Sequence, residues 1–92
     1  MLTEDVLMDD AVERFGENVQ RARRERGWTQ EDLAGKTGLA VVQVSRIERG
    51  KREIRLSTLV RLIDAFEVSP EELLRGIVAT GSRARSERRQ RR

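Results

Sequence analysis

Gly38 divides the stretch TQEDLAGKTGLAVVQVSRIERGKR, residues 29–52, into two short segments of helical pattern. Thr29 is a good N-cap, and Asp32 three places on completes a rough capping box. Leu33 and Ala34 supply the apolar step of a first short helix. A glycine at position 38 can take the left-handed conformation that stops a helix and turns the chain sharply. Leu39 restarts the apolar pattern, and Ala40 to Arg49 are expected as a second helix, closed by Gly50. Gly35, inside the first of the two, is a mild misfit worth about 1 kcal/mol against alanine.

The faces of the second helix can be separated by its period of 3.6 residues. Val44 and Ile47 share one side, the buried one. Val42, Ser45, Arg46 and Arg49 then point outward, with Val41 and Gln43 on the flanks. Two valines beside arginines make a poor solvated surface. The combination suits DNA: valines for thymine methyls, arginines for guanine edges or phosphates. The plainer alternative is that these valines only cap the core.

A first helix is expected from a cap at Asp9 or Asp10 to Arg26, with Gly27 ending it. Val12, Phe15, Val19 and Ala22 form its apolar stripe. Its acids gather early and its arginines late, as the helix dipole favours. Residues 1–9 read as an acidic, fraying lead, and Trp28 as cover for one edge of the core. After Gly50 comes a charged loop, Lys51 to Arg55. Ser57 is the expected cap of a fourth helix, Thr58 to Glu67, with Leu59, Leu62, Ile63 and Phe66 apolar. Ser69-Pro70-Glu71-Glu72 restarts the chain as a fifth helix carrying Leu73, Leu74, Ile77 and Val78. The folded domain is therefore set at residues 10–79. Residues 80–92 hold GSRARSERRQRR, whose lack of apolar periodicity reads as a disordered basic tail.

Composition narrows the function classes. Of 92 residues, 38% are charged and 3% aromatic, so one small domain must rest on an aliphatic core. Histidine and cysteine are both absent, which removes the commonest general base, the usual metal ligands, the thiol nucleophile and any disulfide. No phosphate-binding glycine loop follows a strand, and Glu71-Glu72 are better explained as first-turn acids than as a catalytic pair. An enzyme is not expected, nor a cofactor or metal. No stretch approaches a membrane span and no signal-peptide pattern opens the chain, so a cytoplasmic protein is expected. The net charge of +3 is small but lopsided, with six acids against one base in residues 1–20 and six arginines against one glutamate in residues 81–92.

Several spaced features resemble the Cro/repressor-type helix-turn-helix family, also called the xenobiotic-response-element (XRE) family. They are RRERGWTQEDLA, the turn glycine of KTGL, SRIERGKR at the end of the second motif helix, and LSTLVRLIDAFEVSPEELL. The resemblance covers roughly residues 11–78. It implies an all-α, five-helix, lambda-repressor-like domain that binds double-stranded DNA, as a homodimeric transcriptional regulator and by family habit a repressor. The alternative is an antitoxin or adaptor whose main partner is a protein, a toxin or another regulator.

The resemblance also implies roles for individual residues. Ala40, Val41, Val42 and Arg46 occupy the base-reading positions. Thr29, Gln30, Gln43, Arg49, Lys51 and Arg52 occupy positions that touch the DNA backbone, and Gln30 also braces the reading helix. Many relatives carry glutamine or serine where this chain has Val41 and Val42, so hydrogen-bond readout of adenine is not implied there. Arg23 and Glu48 correspond to an ion pair that orients the reading helix. Leu74, Ile77 and Val78 are expected to leave an apolar patch for a two-fold dimer through helix 5 with the end of helix 4. A helix that merely closes the monomer core is the plainer reading.

Overall fold

The computed structural model describes residues 4–77, with side-chain surroundings from Asp10 onward, so Val78 and the basic tail lie outside the described residues. Five helices follow one another: α1 Glu4–Glu25, α2 Gln30–Thr37, α3 Val41–Glu48, α4 Leu56–Phe66 and α5 Pro70–Leu73. The described residues contain no strand.

The core is aliphatic with one phenylalanine from each of α1 and α4. Phe15 and Val19 of α1 meet Leu33 and Ala34 of α2, Val44 and Ile47 of α3, Leu62 and Phe66 of α4, and Leu73 of α5. Leu39 completes it from the α2–α3 turn. Trp28 closes one edge, its ring stacked on Phe66 at 5.7 Å with Lys36 4.6 Å above it.

Four of the five helices have ends that depart from the expected ones. α1 begins at Glu4 and runs through the acidic lead, instead of starting at a cap at Asp9 or Asp10, and it stops at Glu25. No proline or glycine interrupts residues 4–15, and acids in the first turns suit a helix N-terminus. α3 is one residue shorter at each end, with Ala40 as N-cap and Arg49 as C-cap. α4 begins at Leu56, so Ser57 lies within its first turn while extended Arg55 is the N-cap. The reason lies just upstream, where half-buried Ile54 packs on the core and fixes where the chain reverses. Glu67 is outside α4, as a C-cap in the left-handed region (φ 55°).

α5 is the largest departure, because it ends at Leu73 and does not carry Leu74 or Ile77. Gly76 takes the left-handed conformation (φ 79°), which no continuing helix allows, and the freed carbonyls are held by Asn18 of α1. Its Nδ2 donates to the carbonyls of Leu73 at 2.7 Å and Arg75 at 2.9 Å. The Leu73 carbonyl is the one a continuing helix would offer to Ile77, whose N–H bonds to Leu74 instead. Arg21 in turn donates to Asn18 Oδ1, so the buried amide is satisfied on both sides. Leu74 is left 40% exposed and Ile77 half-buried.

Candidate nucleic-acid interface

The helix-turn-helix is built from local chemistry. Thr29 Oγ1 accepts from Asp32 N at 3.0 Å, while Thr29 N donates to Asp32 Oδ2 at 2.8 Å. These bonds, the one from the Thr29 backbone foremost, hold the Asp32 carboxyl below the usual aspartate range. At the other end of α2, Gly38 adopts φ 77° and its N–H reaches the Ala34 carbonyl at 2.9 Å. Buried Thr37 adds a second brace, its hydroxyl donating to Leu33 O at 2.8 Å and accepting from Leu39 N at 3.2 Å. The turn is therefore rigid on both sides of the glycine.

α3 is fastened to the scaffold through one carboxylate. Glu48 is buried at the end of α3, where Arg23 of α1 donates Nε to Oε2 at 2.6 Å and Nη2 to Oε1 at 3.0 Å. Gln30, at the start of α2, donates to the same Oε1 at 3.1 Å. The remaining Arg23 nitrogen, Nη1, donates to the Trp28 carbonyl at 2.7 Å. The bond to Glu48 raises the Arg23 pKa above its ordinary value, against the opposing effect of burial. One network thus ties α1, the α1–α2 loop, α2 and α3 together. Among the described residues no buried side-chain nitrogen or oxygen lacks a partner.

Gly16 sets the approach of α3 from the other side. A Cβ at this position would stand 2.3 Å from the Ile47 carbonyl oxygen and 2.8 Å from that of Glu48. Helix α1 therefore meets the last turn of α3 backbone to backbone. Sequence reasoning passed over Gly16 and Asn18. The signal for Gly16 was a glycine amid a strong helical stripe, the same oddity that Gly35 presents in α2. Gly35 is exposed, and a Cβ there would meet nothing within 4 Å.

What α3 offers outward is a band of apolar and cationic groups. Val41 is 41% and Val42 52% exposed, and Arg46 on the same helix and Arg49 at its C-cap are exposed too. The Arg46 side chain makes no hydrogen bond to the protein among the described residues, whereas Arg49 Nε makes a long one to Ser45 O at 3.4 Å. Ala40 is exposed at the N-cap, where Gln43 Oε1 accepts its N–H at 2.9 Å. That bond occupies only the oxygen of Gln43 and leaves its amide donors free. Lys51 and Arg52 are exposed in the segment after α3. Thr29 is exposed at the head of α2, and Gln30 there is half-buried. Arg23 and Glu48 lie behind this surface, and Leu74 and Ile77 belong to a separate apolar face.

No helix among the described residues is long and apolar enough to cross a membrane.

Comparison with known proteins agrees with this geometry. Residues 19–73, more than half of the chain, match the HTH_3 family, described as helix-turn-helix. An uncharacterized HTH-type transcriptional regulator, y4dJ of Sinorhizobium fredii, is 41% identical over 59 residues, which are 64% of this chain and 77% of that protein. The control protein C.SmaI of Serratia marcescens is 36% identical over 70 residues, 76% of this chain and 83% of that one. Against other relatives the chain spans about half the length, as with the HTH-type transcriptional repressor RghR of Bacillus subtilis at 47%. Among solved structures, the restriction-modification controller protein C.AhdI of Aeromonas hydrophila superposes with a TM-score of 0.65 at 34% identity, over 67% of this chain and 94% of that one. The hypothetical transcription factor NHTF from Neisseria gives 0.68 at 29% identity, over 86% and 87%. The chain belongs to the XRE-type helix-turn-helix family of DNA-binding transcriptional regulators.

Proposed function

We propose that the chain is a sequence-specific repressor that binds a palindromic operator as a homodimer, with α3 in the major groove. The observation that carries this reading is the outward band of Val41, Val42 and Arg46 on a helix locked to its scaffold by Glu48. Arg46 suits the O6 and N7 atoms of a guanine, and the valines suit thymine methyls. Ala40, at the head of the helix, leaves room for close approach to a base edge. Gln43, Arg49, Lys51 and Arg52, with Thr29 and Gln30 at the head of α2, serve as backbone contacts. The names of relatives, a control protein and a transcriptional repressor, support the regulatory reading. A DNA partner implies a cytoplasmic location, and the activity is binding rather than catalysis.

Assembly is assigned to an apolar face separate from the network. Leu74 is 40%, Val60 56% and Leu56 75% exposed. Leu59 continues this surface into an apolar groove of about 210 Å³ that Leu74 and Ile77 also line. A second copy related by a two-fold axis covers such a patch with the same patch. The two α3 helices then lie about one DNA turn, ~34 Å, apart. The start of α4, rather than its end, thus joins the residues near α5.

Footprinting on the DNA upstream of the chain's own gene, with sedimentation, tests both parts. The expected outcome is two protected half-sites and a dimer. A monomer with a one-sided footprint contradicts the assembly. If Val42→Glu abolishes a protein complex and leaves DNA affinity intact, the antitoxin or adaptor reading takes its place.

A further inference from the structure

Asp10, Glu13 and Glu17 stand at intervals of three and four along α1, so they share one face of the helix, opposite the Phe15 and Val19 that enter the core. All three are exposed, and among the described residues the one ion pair is Arg23–Glu48, elsewhere in the molecule. Glu4, Asp5 and Asp9 add further acids to the same end of α1. Like charges this close repel one another, and a cationic segment laid along them relieves that repulsion.

The described chain leaves the fold beside this stripe. Ile77 lines one groove with Ala11 and Val12, which lie between Asp10 and Glu13 in sequence. A Cβ on Gly76 would stand 3.4 Å from Cδ of Arg14, the next residue on. The next segment, residues 81–92, carries six arginines against one glutamate. The six steps from Ile77 to Arg83 span at most ~20 Å, while Asp10 to Glu17 covers only about 10 Å of helix. Exit point, reach and charge thus agree on one occupant. On its other side the stripe borders the end of α3, since a Cβ on Gly50 would stand 2.8 Å from Glu13 Cα. Lys51 and Arg52, assigned above to the DNA backbone, follow directly.

We propose that residues 81–92, which lie outside the described residues, dock on the Asp10, Glu13 and Glu17 stripe of their own chain, and that the stripe thereby holds the arginine arm off DNA phosphates. Exposed ion pairs are individually weak and are screened beyond ~8 Å at physiological salt. The contact therefore depends on the tether, which keeps the arginines at a high local concentration beside the acids. A DNA backbone carries a denser row of charge and takes the arm when it arrives. The docking rests on the DNA reading only for this competitor.

A nitroxide on Ser86→Cys tests the docking in the full chain, which has no other cysteine. At low salt and without DNA, the NMR amide signals of Asp10, Glu13 and Glu17 are expected to be lost while those of α2 are kept, and high salt should restore them. Mixing nitroxide-bearing chains with isotope-labelled chains should leave the stripe signals intact. Loss in that mixture makes a second copy's arm the occupant and overturns the proposal, as does loss spread over all helices or none at all. In a second experiment the combined Asp10→Asn, Glu13→Gln and Glu17→Gln variant binds a random-sequence duplex across a salt series, as the full chain and truncated after Thr80. Releasing the arm is expected to steepen the log–log salt slope by about 0.9 for each phosphate it gains, in the full chain only. The same gain in the truncated chain shows that the acids merely repel DNA, and overturns the holding role. If the wild type binds no DNA but the nitroxide loss stays confined to the stripe, the DNA reading falls and the docking stands.

Discussion

Gly16 of α1 lies against the Ile47 carbonyl of α3 so closely that a Cβ on Gly16 would stand 2.3 Å from that oxygen. No real Cβ tolerates such an approach, and the neighbour is backbone, which cannot swing aside. Gly16→Ala must therefore push α3 off α1. The expected destabilisation is about 1–3 kcal/mol, the usual range for overpacking. Gly35→Ala, in open space, should instead gain up to about 1 kcal/mol from helix propensity. Urea unfolding of the two variants checks the contrast, and equal stabilities would refute the close approach.

The Arg23–Glu48 pair predicts a second destabilisation. Glu48 has 1% and Arg23 11% of its side chain exposed, so removing the arginine strands a buried carboxylate. Arg23→Met is expected to cost about 3–5 kcal/mol, because Gln30 alone offers a neutral donor in return. An unfolding curve that overlays wild type would show that the pair contributes nothing.

The Gly16 contact, unlike the Arg23–Glu48 pair that the family resemblance implied, shows where sequence ceased to be informative. Thr29, Asp32 and Gly38 act on neighbours a few residues away, so their caps and turn could be read directly. The buried sides of α3 and α4 followed from periodicity for the same reason. Asn18 acts on carbonyls 55 and 57 residues along the chain. Gly76, at φ 79°, was the local sign that α5 would stop short, but nothing local announces the bonds from Asn18. Gly16 has the same difficulty, since its partner at Ile47 becomes a neighbour only once α1 and α3 pack. Ser57 misled in the opposite way: it is a good cap by type, but the packing of Ile54 set the start of α4 at Leu56. Of the site, the outward face of α3 was legible from its period.

Acid should reveal the capping box. Thr29 holds the Asp32 carboxyl below its ordinary pKa, so the folded state favours the ionised form more than the unfolded state does. The resulting stability is fully present above the unfolded aspartate pKa and disappears as pH falls through the lower folded value. Asp32→Asn should therefore be less stable than wild type at neutral pH, with the gap closing on acidification. Parallel unfolding midpoints for the two proteins across the acid range would contradict this.

The six arginines of residues 81–92 are proposed to act as an arm on flanking phosphates. Truncation after Thr80 should weaken all DNA sequences alike and flatten the salt slope by about 0.9 for each phosphate the arm no longer neutralises. An unchanged slope would leave the tail as a solvated extension.

Base reading by Arg46 is tested most directly by titrating Arg46→Ala against operator and random duplexes of equal length. The Arg46 side chain is exposed and makes no hydrogen bond to the protein among the described residues, so its removal should leave the fold intact. The expected result is a weakening of about 1–3 kcal/mol confined to operators that carry the critical guanine, with random-sequence affinity and its salt dependence largely kept. Equal weakening on operator and random DNA would contradict it, making Arg46 a phosphate anchor and leaving specificity to Arg52, Gln43 or DNA shape.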